Sequence, residues 1–353
     1  MGILNQLPPP PKGKIGFPWT AETPPQYFAE NLPKISIITP SFNQGQFIEE
    51  TIRSVLLQNY PNLEYLIIDG GSTDNTLEII KKYSNFIHYW ISEKDNGQSD
   101  AINKGLKQAT GDVFNWLNSD DFYLPNALLI VGNAFKNKAL NVFCAQQYVE
   151  TIDGKRLHLH GVKREKTIEI NLVAHYFNQA PTFFRLTHVK ELGGVASQFF
   201  FCMDLELWVN YITHFGHKEI RESAEFLAVL RIHSDAKSSN AKKIYYADCF
   251  NLLYSLINSS PLNTHFPTRF LKENAIFTIY FSKKYPLSKI NEKHLLALIA
   301  QQLLELYSQF MTWQSFFELY FYSLKQLPNN RNKRFYLLPF IKIKRFFKPI
   351  SFK

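Results

Sequence analysis

The sequence predicts an α/β protein whose sheet is largely parallel and covered by helices on both faces, with a helical region appended after it. Three observations carry this. Short β-type runs alternate with helical patterns from Lys34 to Leu117. Each of the first four β-type runs ends in a polar cluster. From about Asn240 to Leu327 long apolar-periodic helical segments such as EKHLLALIAQQLLELYSQF take over.

Taken in order, residues 1–33 are rich in proline (Pro8 to Pro11, Pro18, Pro24, Pro25, Pro33) and lack periodicity, which predicts an extended arm packed through Phe17, Trp19 and Tyr27. KISIITP is the first β-type run. GQFIEETIRSVLLQNY carries Phe47, Ile48, Ile52, Val55 and Leu56 at helical spacing. NLEYLIIDG reads as a strand stopped by Gly70-Gly71, Asp74 to Tyr83 as a helix, IHYWISE as a strand, Ser99 to Ala109 as a helix and DVFNWL as a fourth strand. After residue 140, VFCAQQYVE, KRLHLHG and EFLAVLRIH look like further strands, while FFRLTHVKELGG and MDLELWVNYITHF look helical.

The chain of 353 residues is 45% hydrophobic and 20% charged, which is enough for a large core. No run of 18 apolar residues predicts a membrane-spanning helix, and MGILNQLPPPPKGK lacks the apolar stretch of a signal peptide. Cys144, Cys202 and Cys249 are scattered, odd in number and at no metal spacing, so three buried thiols in a reducing compartment are expected. Eight basic and no acidic residues fall between Arg331 and Lys353, so residues 1–330 carry only +1 of the net +9. That distribution argues against a nucleic-acid-binding face, which needs basic residues spread over the fold. The tail KRFYLLPFIKIKRFFKPISFK interleaves basic and apolar side chains and suits an anionic membrane surface, where each basic residue contributes about 1 kcal/mol. Its alternative is a C-terminus that docks its aromatics on the helical region.

In parallel sheets, ligands bind beyond the carboxyl ends of the strands. The polar clusters fall there: Thr39 to Asn43, Asp69 to Asp74, Glu93 to Gly97 and Asn118 to Asp121. In the last, two adjacent carboxylates follow an apolar run. At about 5 Å and an effective dielectric near 20 their repulsion is on the order of 3 kcal/mol. A divalent cation removes it, and Mg²⁺ or Mn²⁺ commonly binds through few carboxylates plus substrate phosphates. A solvated turn or a helix cap is the other reading of Asp-Asp.

Across ISIITPSFNQGQFIEETIRSVLLQNYPNLEYLIIDGGSTDNT and SEKDNGQSDAINKGLKQATGDVFNWLNSDDFY the chain resembles the inverting, nucleotide-sugar-dependent glycosyltransferases of family 2. A weaker likeness continues through NQAPTFFR and FFCMDLELWV to RIHSDAKS. The resemblance implies a GT-A fold, a Rossmann-like mixed but mostly parallel sheet, over residues 34–239. An arm (1–33), a helical region (240–330) and a basic aromatic tail (331–353) flank it. It implies that Thr39, Pro40 and Ser41 line the pocket for the nucleotide base, that Asp69 faces the base, Asp100 the base or ribose, and Asp120 the ribose. Asp121 and His233 would hold Mn²⁺ or Mg²⁺, with Lys237 close behind. Asn118 stands where the family's Asp-x-Asp motif has its first Asp. Asp204 would be the catalytic base, with Glu206 as its rival. Two residues apart on a helix, they point to different faces. A strand-end histidine also serves as a hydrogen-bonded structural residue, and Asp204 also suits a helix cap. Gln179 to Thr182 would shape the acceptor side or form a turn about Pro181. Arg53, Lys94 and Lys104 would touch phosphate or be solvated at the surface, and Trp116 would be core.

The expected activity is transfer of a sugar from a nucleoside diphosphate, foremost a UDP-sugar, to a hydroxyl of a carbohydrate or lipid-linked glycan. The expected setting is cytoplasmic, at the inner face of a membrane in its peripheral form, and no nucleic-acid partner is expected. The rival readings are a catalytically silent carbohydrate- or membrane-binding protein on the same fold, and a sugar nucleotidyltransferase. The basic Gly-rich loop of the latter is not visible after the first strand.

Overall fold

The computed structural model describes residues 2–25, 31–151, 153–159, 167–173, 178–233 and 242–326. In chain order its strands are β1 (Ile35–Ser41), β2 (Leu63–Asp69), β3 (Tyr89–Ser92), β4 (Val113–Trp116), β5 (Phe122–Tyr123), β6 (Val142–Glu150), β7 (Arg156–Leu159), β8 (Thr182–Arg185) and β9 (Ile220–Arg231). The helices are α1 (Ile48–Leu56), α2 (Thr76–Lys82), α3 (Gln98–Gln108), α4 (Ala127–Phe135), α5 (Ile168–Val173), α6 (Leu186–Glu191), α7 (Met203–Phe215), α8 (Lys242–Ser259), α9 (Glu292–Tyr307) and α10 (Trp313–Gln326). The chain divides into two compact units. Met1–Lys163, Tyr176–Ser197 and Lys218–His233 form one, and Arg164–His175, Gln198–His217 and Ser234–Lys353 form the other.

The first unit is built on one sheet in the order β3-β2-β1-β4-β8-β6-β9-β5, with β7 paired to β6. β3, β2, β1 and β4 run parallel, and β8 then enters antiparallel to both β4 and β6. β1 is buried along its whole length, as a central parallel strand covered on both faces must be. Ile35 and Ile37 join Ile48, Ile52 and Val55 of α1 in one core. Ile38 points to the other face, where α3 crosses so closely that a Cβ on Gly105 would stand 2.7 Å from the Ile38 Cγ2. The three cysteines are buried and form no disulfide, and Trp116 is core, as expected.

Two expectations need correction. FFRLTHVKELGG is not helical throughout. Thr182–Arg185 is β8, and the helix starts only at Leu186. Phe184 lies opposite both Phe114 of β4 and Val142 of β6, and that slot between two strands outweighs local helical propensity. Arg53 does not reach solvent or phosphate. It is fully buried and donates to the carbonyls of Pro8 (2.8 Å), Pro18 (2.8 Å) and Trp19 (2.7 Å) and to the Tyr83 hydroxyl (3.0 Å). The guanidinium thus ties the proline-rich arm to α1, with Trp19 buried beside it. Tyr27 lies outside the described residues.

The second unit is helical. An extended segment through Thr278 to Tyr285 is stitched to α8 by side chains about two turns apart. Asn251 Oδ1 accepts from the amides of Tyr280 (2.9 Å) and Phe281 (3.0 Å), and Ser259 Oγ accepts from that of Tyr285 (2.9 Å). Asp248 accepts from the amides of Phe201 (2.6 Å) and Cys202 (3.2 Å), which fixes the start of α7 against α8. α10 buries Phe316, Leu319 and Ser323 and packs against α9.

Candidate active site

The four polar loops at the carboxyl edge of the first unit's sheet brace one another. The Asn43 amide donates to Ser72 Oγ (2.8 Å), the Thr73 amide to Asn43 Oδ1 (2.8 Å) and the Gly45 amide to Asp74 Oδ2 (2.9 Å), which joins the loops after β1 and β2. Gln98 at the start of α3 donates to Asn118 Oδ1 (2.7 Å), which joins the loops after β3 and β4. The Thr51 hydroxyl of α1 shares its proton between the carbonyls of Ser119 (2.8 Å) and Asp121 (2.6 Å).

Asp69 ends β2 and is fully buried. Its Oδ1 accepts from Ser72 Oγ (2.5 Å), and its Oδ2 accepts from Ser92 Oγ (2.6 Å) and from the amides of Ser72 (2.9 Å) and Gly71 (3.2 Å). Four donors fill the acceptor capacity of a carboxylate, so Asp69 here shapes the loop rather than offering a free oxygen. Gly71 follows at a φ of +84°, the left-handed conformation that glycine adopts without strain. Asp100 lies in the first turn of α3, accepts from the Asn96 amide (3.0 Å) and stands 3.7 Å from Lys104, which pairs more closely with Glu93 (2.8 Å).

β1 outruns β4. Their register stops at Ile38 opposite Trp116, so Thr39, Pro40 and Ser41 keep only β2 as a strand neighbour. The Thr39 hydroxyl is buried against that of Tyr65 (3.1 Å), which leaves Thr39 its backbone with which to meet a ligand. Gln179 bridges the same gap from the other side, donating to the Trp116 carbonyl (2.6 Å), and the Thr182 amide closes a turn about Pro181 onto the Gln179 carbonyl (3.0 Å).

Asp120 and Asp121 differ in environment. Asp120 is partly exposed and its Oδ2 lies 3.1 Å from His233 Nε2, while the His233 ring packs on Phe47 at 4.4 Å between centroids. Asp121 is buried, and accepts from the Arg231 amide (3.1 Å) and from Asn118 Nδ2 (3.3 Å). Burial, and after it the charge of Asp120, push the Asp121 carboxyl well above the ordinary carboxylate range. Arg231 was not singled out by its sequence, yet it organises this corner. Its Nε donates to the Asp120 carbonyl, its Nη1 pairs with Glu50 (2.9 Å), and its guanidinium stands 4.9 Å from the rings of both Phe47 and Phe122. Only its position at the end of a β-type run, two residues before a histidine, hinted at this.

Ser41 Oγ, Ser99 Oγ, Gln44 Oε1 and Arg231 Nη2 are buried without a hydrogen-bond partner among the described residues. Ser41 ends β1, Gln44 follows in its loop, Ser99 begins α3 and Arg231 ends β9. Buried polar atoms left unsatisfied are costly, and these four stand at the ends of β1 and β9, in the loop after β1 and at the start of α3. Among the described residues no three His, Cys, Asp or Glu side chains form a ready metal cage. A buried carboxylate whose charge is disfavoured beside a second carboxylate does suit a cation held by few protein groups, with ligand oxygens completing its shell.

In the second unit, Asp204 lies in the first turn of α7, half-buried, with Oδ1 on the Leu205 amide (2.8 Å). Glu206 faces elsewhere. It is buried and its Oε1 meets Lys283 Nζ (3.0 Å) and the Tyr285 hydroxyl (3.1 Å). Lys237 lies outside the described residues.

A mixed sheet with parallel leading strands, flanking helices and an acidic strand tip defines a GT-A protein. Residues 36–200 match the family model described as glycosyl transferase family 2. An uncharacterized glycosyltransferase of Rickettsia typhi is 29% identical over 59% of this chain and 66% of its own length. One of Rickettsia prowazekii is 36% identical over 38% of this chain and 42% of its own. A Bacillus subtilis glycosyltransferase, TuaG, assigned by name and provisionally to teichuronic acid biosynthesis, is 41% identical over 27% of this chain and 39% of its own length. The chain thus spans less than two thirds of the length of these curated relatives. In structure it is similar to residues 1–349 of S. aureus TarS solved with UDP. The TM-score is 0.56 at 14% identity, covering 91% of this chain and 93% of that one. It is also similar to the mannosyltransferase PcManGT of Pyrobaculum calidifontis solved with GDP-Man and Mn²⁺, with a TM-score of 0.52 at 15% identity, covering 91% of this chain and 82% of that one.

Proposed function

We propose that the protein transfers a sugar from a nucleoside diphosphate to the hydroxyl of a carbohydrate or lipid-linked glycan, with inversion, in the assembly of a polysaccharide. The observation that carries the reading is the buried Asp121 beside Asp120 at the carboxyl edge of a GT-A sheet, with buried polar atoms of Ser41, Ser99 and Arg231 left without a partner among the described residues. A UDP-sugar is the preferred donor, supported by the UDP and UDP-GlcNAc complexes of TarS.

The open edge of Thr39 to Ser41 would receive the nucleotide base, Asp100 the base or ribose and Asp120 the ribose. Asp69 would hold the base side of the pocket through the Ser72 loop. Asp121 would ligate Mn²⁺ or Mg²⁺, and His233 would join it on releasing Asp120. When bound there, the cation supplies Lewis-acid stabilisation of charge on the leaving diphosphate. The acceptor oxygen forms its bond to the anomeric carbon as the bond to the diphosphate oxygen breaks on the opposite face. Its proton passes to Asp204, a general base of a kind worth about 10²–10⁴-fold in rate. Asp204 is preferred to Glu206 because the latter is already committed to Lys283 and Tyr285.

A donor panel of UDP, GDP and TDP sugars with Mn²⁺ tests this. A catalyst slowly hydrolyses its donor, and a silent binder does not. Asp121→Ala should abolish metal-dependent donor binding by calorimetry, and Asp204→Asn should bind donor normally while losing transfer at least 10²-fold. Full transfer by Asp204→Asn would remove Asp204 from the mechanism.

A further inference from the structure

Among the described residues, α10 is the one helix on which three exposed large apolar side chains recur at successive turns. Trp313, Phe317 and Phe321 are 38%, 37% and 59% exposed. The three rings stack in a row, Trp313 to Phe317 at 5.8 Å and Phe317 to Phe321 at 5.9 Å, with interplanar angles of 26° and 23°. One turn on, exposed Lys325 continues the stripe. The opposite face is fully used, burying Phe316 and Leu319 in the helical unit. The start of the helix is pinned, because Glu273 accepts from the Thr312 amide (2.9 Å), the Thr312 hydroxyl (2.6 Å) and the Ser315 hydroxyl (2.5 Å). The aromatic row is therefore held on a fixed rod. Single exposed apolar residues are ordinary, but a contiguous aromatic stripe on such a rod marks an interaction surface.

Charge identifies the partner. The single acid of α10, Glu318, pairs with Arg269 at 2.9 Å. Residues 327–353 follow directly, and positions 331–353 contain eight Lys and Arg, six aromatic rings and no acid. Trp and Phe settle at the level of lipid headgroups, and basic side chains next to them are drawn to anionic lipids. No described helix is long and apolar enough to cross a membrane, which leaves contact in the plane of the interface as the mode for α10. We propose that the Trp313–Phe317–Phe321 face of α10 lies on the surface of an anionic lipid bilayer. This surface is independent of the donor site.

The test uses the full chain and vesicles of phosphatidylcholine with and without 30% phosphatidylglycerol. The unmodified protein should bind the anionic vesicles. Phe317→Gln/Phe321→Gln, with residues 327–353 intact, should bind them at least tenfold more weakly and hydrolyse donor at the unmodified rate. Trp313 emission, obtained by subtracting a Trp313→Phe control, should shift to the blue and be quenched by lipids brominated on the acyl chain. Equal binding by the double variant, or Trp313 emission unmoved by vesicles, would overturn the proposal and leave any membrane contact to the tail alone. So would a change of sedimentation coefficient on Phe317/Phe321 substitution, which would assign the stripe to a second copy. Quenching of Trp313 by a soluble glycan rather than by lipid would also overturn it. Loss of donor hydrolysis with vesicle binding retained would count against the transferase reading and not against this surface.

Discussion

Arg231 ends β9 with its guanidinium 4.9 Å from the rings of both Phe47 and Phe122, and two of its bonds bear on the acidic tip of β4. Its amide fixes the Asp121 carboxylate, its Nε fixes the Asp120 carbonyl, and Glu50 balances its charge. The pair of carboxylates is thereby aimed by a residue that is not itself acidic. Arg231→Met keeps the stem and the aromatic packing but leaves Glu50 without its cation. It should cost about 3–5 kcal/mol in urea unfolding, the range for removing one partner of a buried ion pair. It should also weaken Mn²⁺-dependent UDP binding about tenfold or more. Arg231→Lys restores charge toward Glu50 but not the planar fork, so it should recover stability ahead of binding. The placing of Asp120 and Asp121 together at a strand tip was legible in the sequence, where adjacent carboxylates repel. That of Arg231 was not, because its partners come from α1, β5 and the loop before β5, which only folding brings to it.

At the level of elements, the alternation of periods was enough to read β1 to β4, α2 and α3 to within about two residues, α1 to within about four, and α7 from Met203 to Phe215. The failures share one cause. β8 reads locally as the start of a helix, but its Phe183 and Phe184 fill a slot between β4 and β6 whose existence depends on residues about 40 and 70 positions earlier. The arm is similar. Its prolines predicted an extended chain, and its anchor proved to be Arg53, a buried cation read from the sequence as a surface residue. Arg53→Ala should destabilise the protein by about 3–5 kcal/mol, because the carbonyls of Pro8, Pro18 and Trp19 lose a common donor in a buried setting. Limited proteolysis should then cut within residues 2–25 before any other part of the first unit. If the arm stays as resistant as in the unmodified protein, Arg53 is not its anchor.

For the molecule as a whole, acid stability depends on Glu64, the carboxylate that joins β1, β2 and the loop before β4. Burial alone would raise its pKa. Bonds from Lys34, from the hydroxyls of Ser36 and Thr110 and from the Thr110 amide outweigh that and lower it from the ordinary 4.5 to about 2. A carboxylate depressed in the folded state stabilises fully above its unfolded value, and that contribution is lost as pH falls from about 4.5 toward about 2. A shift of this size corresponds to about 3 kcal/mol, of which roughly two thirds should be gone by pH 3. Urea unfolding of Glu64→Gln at pH 7 and pH 3 measures this. The gap to the unmodified protein should narrow by about 2 kcal/mol at the lower pH, and a gap independent of pH would assign the role to packing.

The sequence by itself determined the α/β class, the strands that lead the sheet, the acidic tip of β4 and the concentration of positive charge after residue 330. These follow from periodicity, adjacency and composition, all local along the chain. The tertiary structure alone decided that Asp69 spends its oxygens on Gly71, Ser72 and Ser92, that Glu206 is taken by Lys283 and Tyr285, and that Arg53 is buried. It also decided that Phe317 and Phe321 face outward when Phe316 and Leu319 do not. Each of these depends on which distant group arrives within a few ångströms, and a one-dimensional pattern carries no record of that distance.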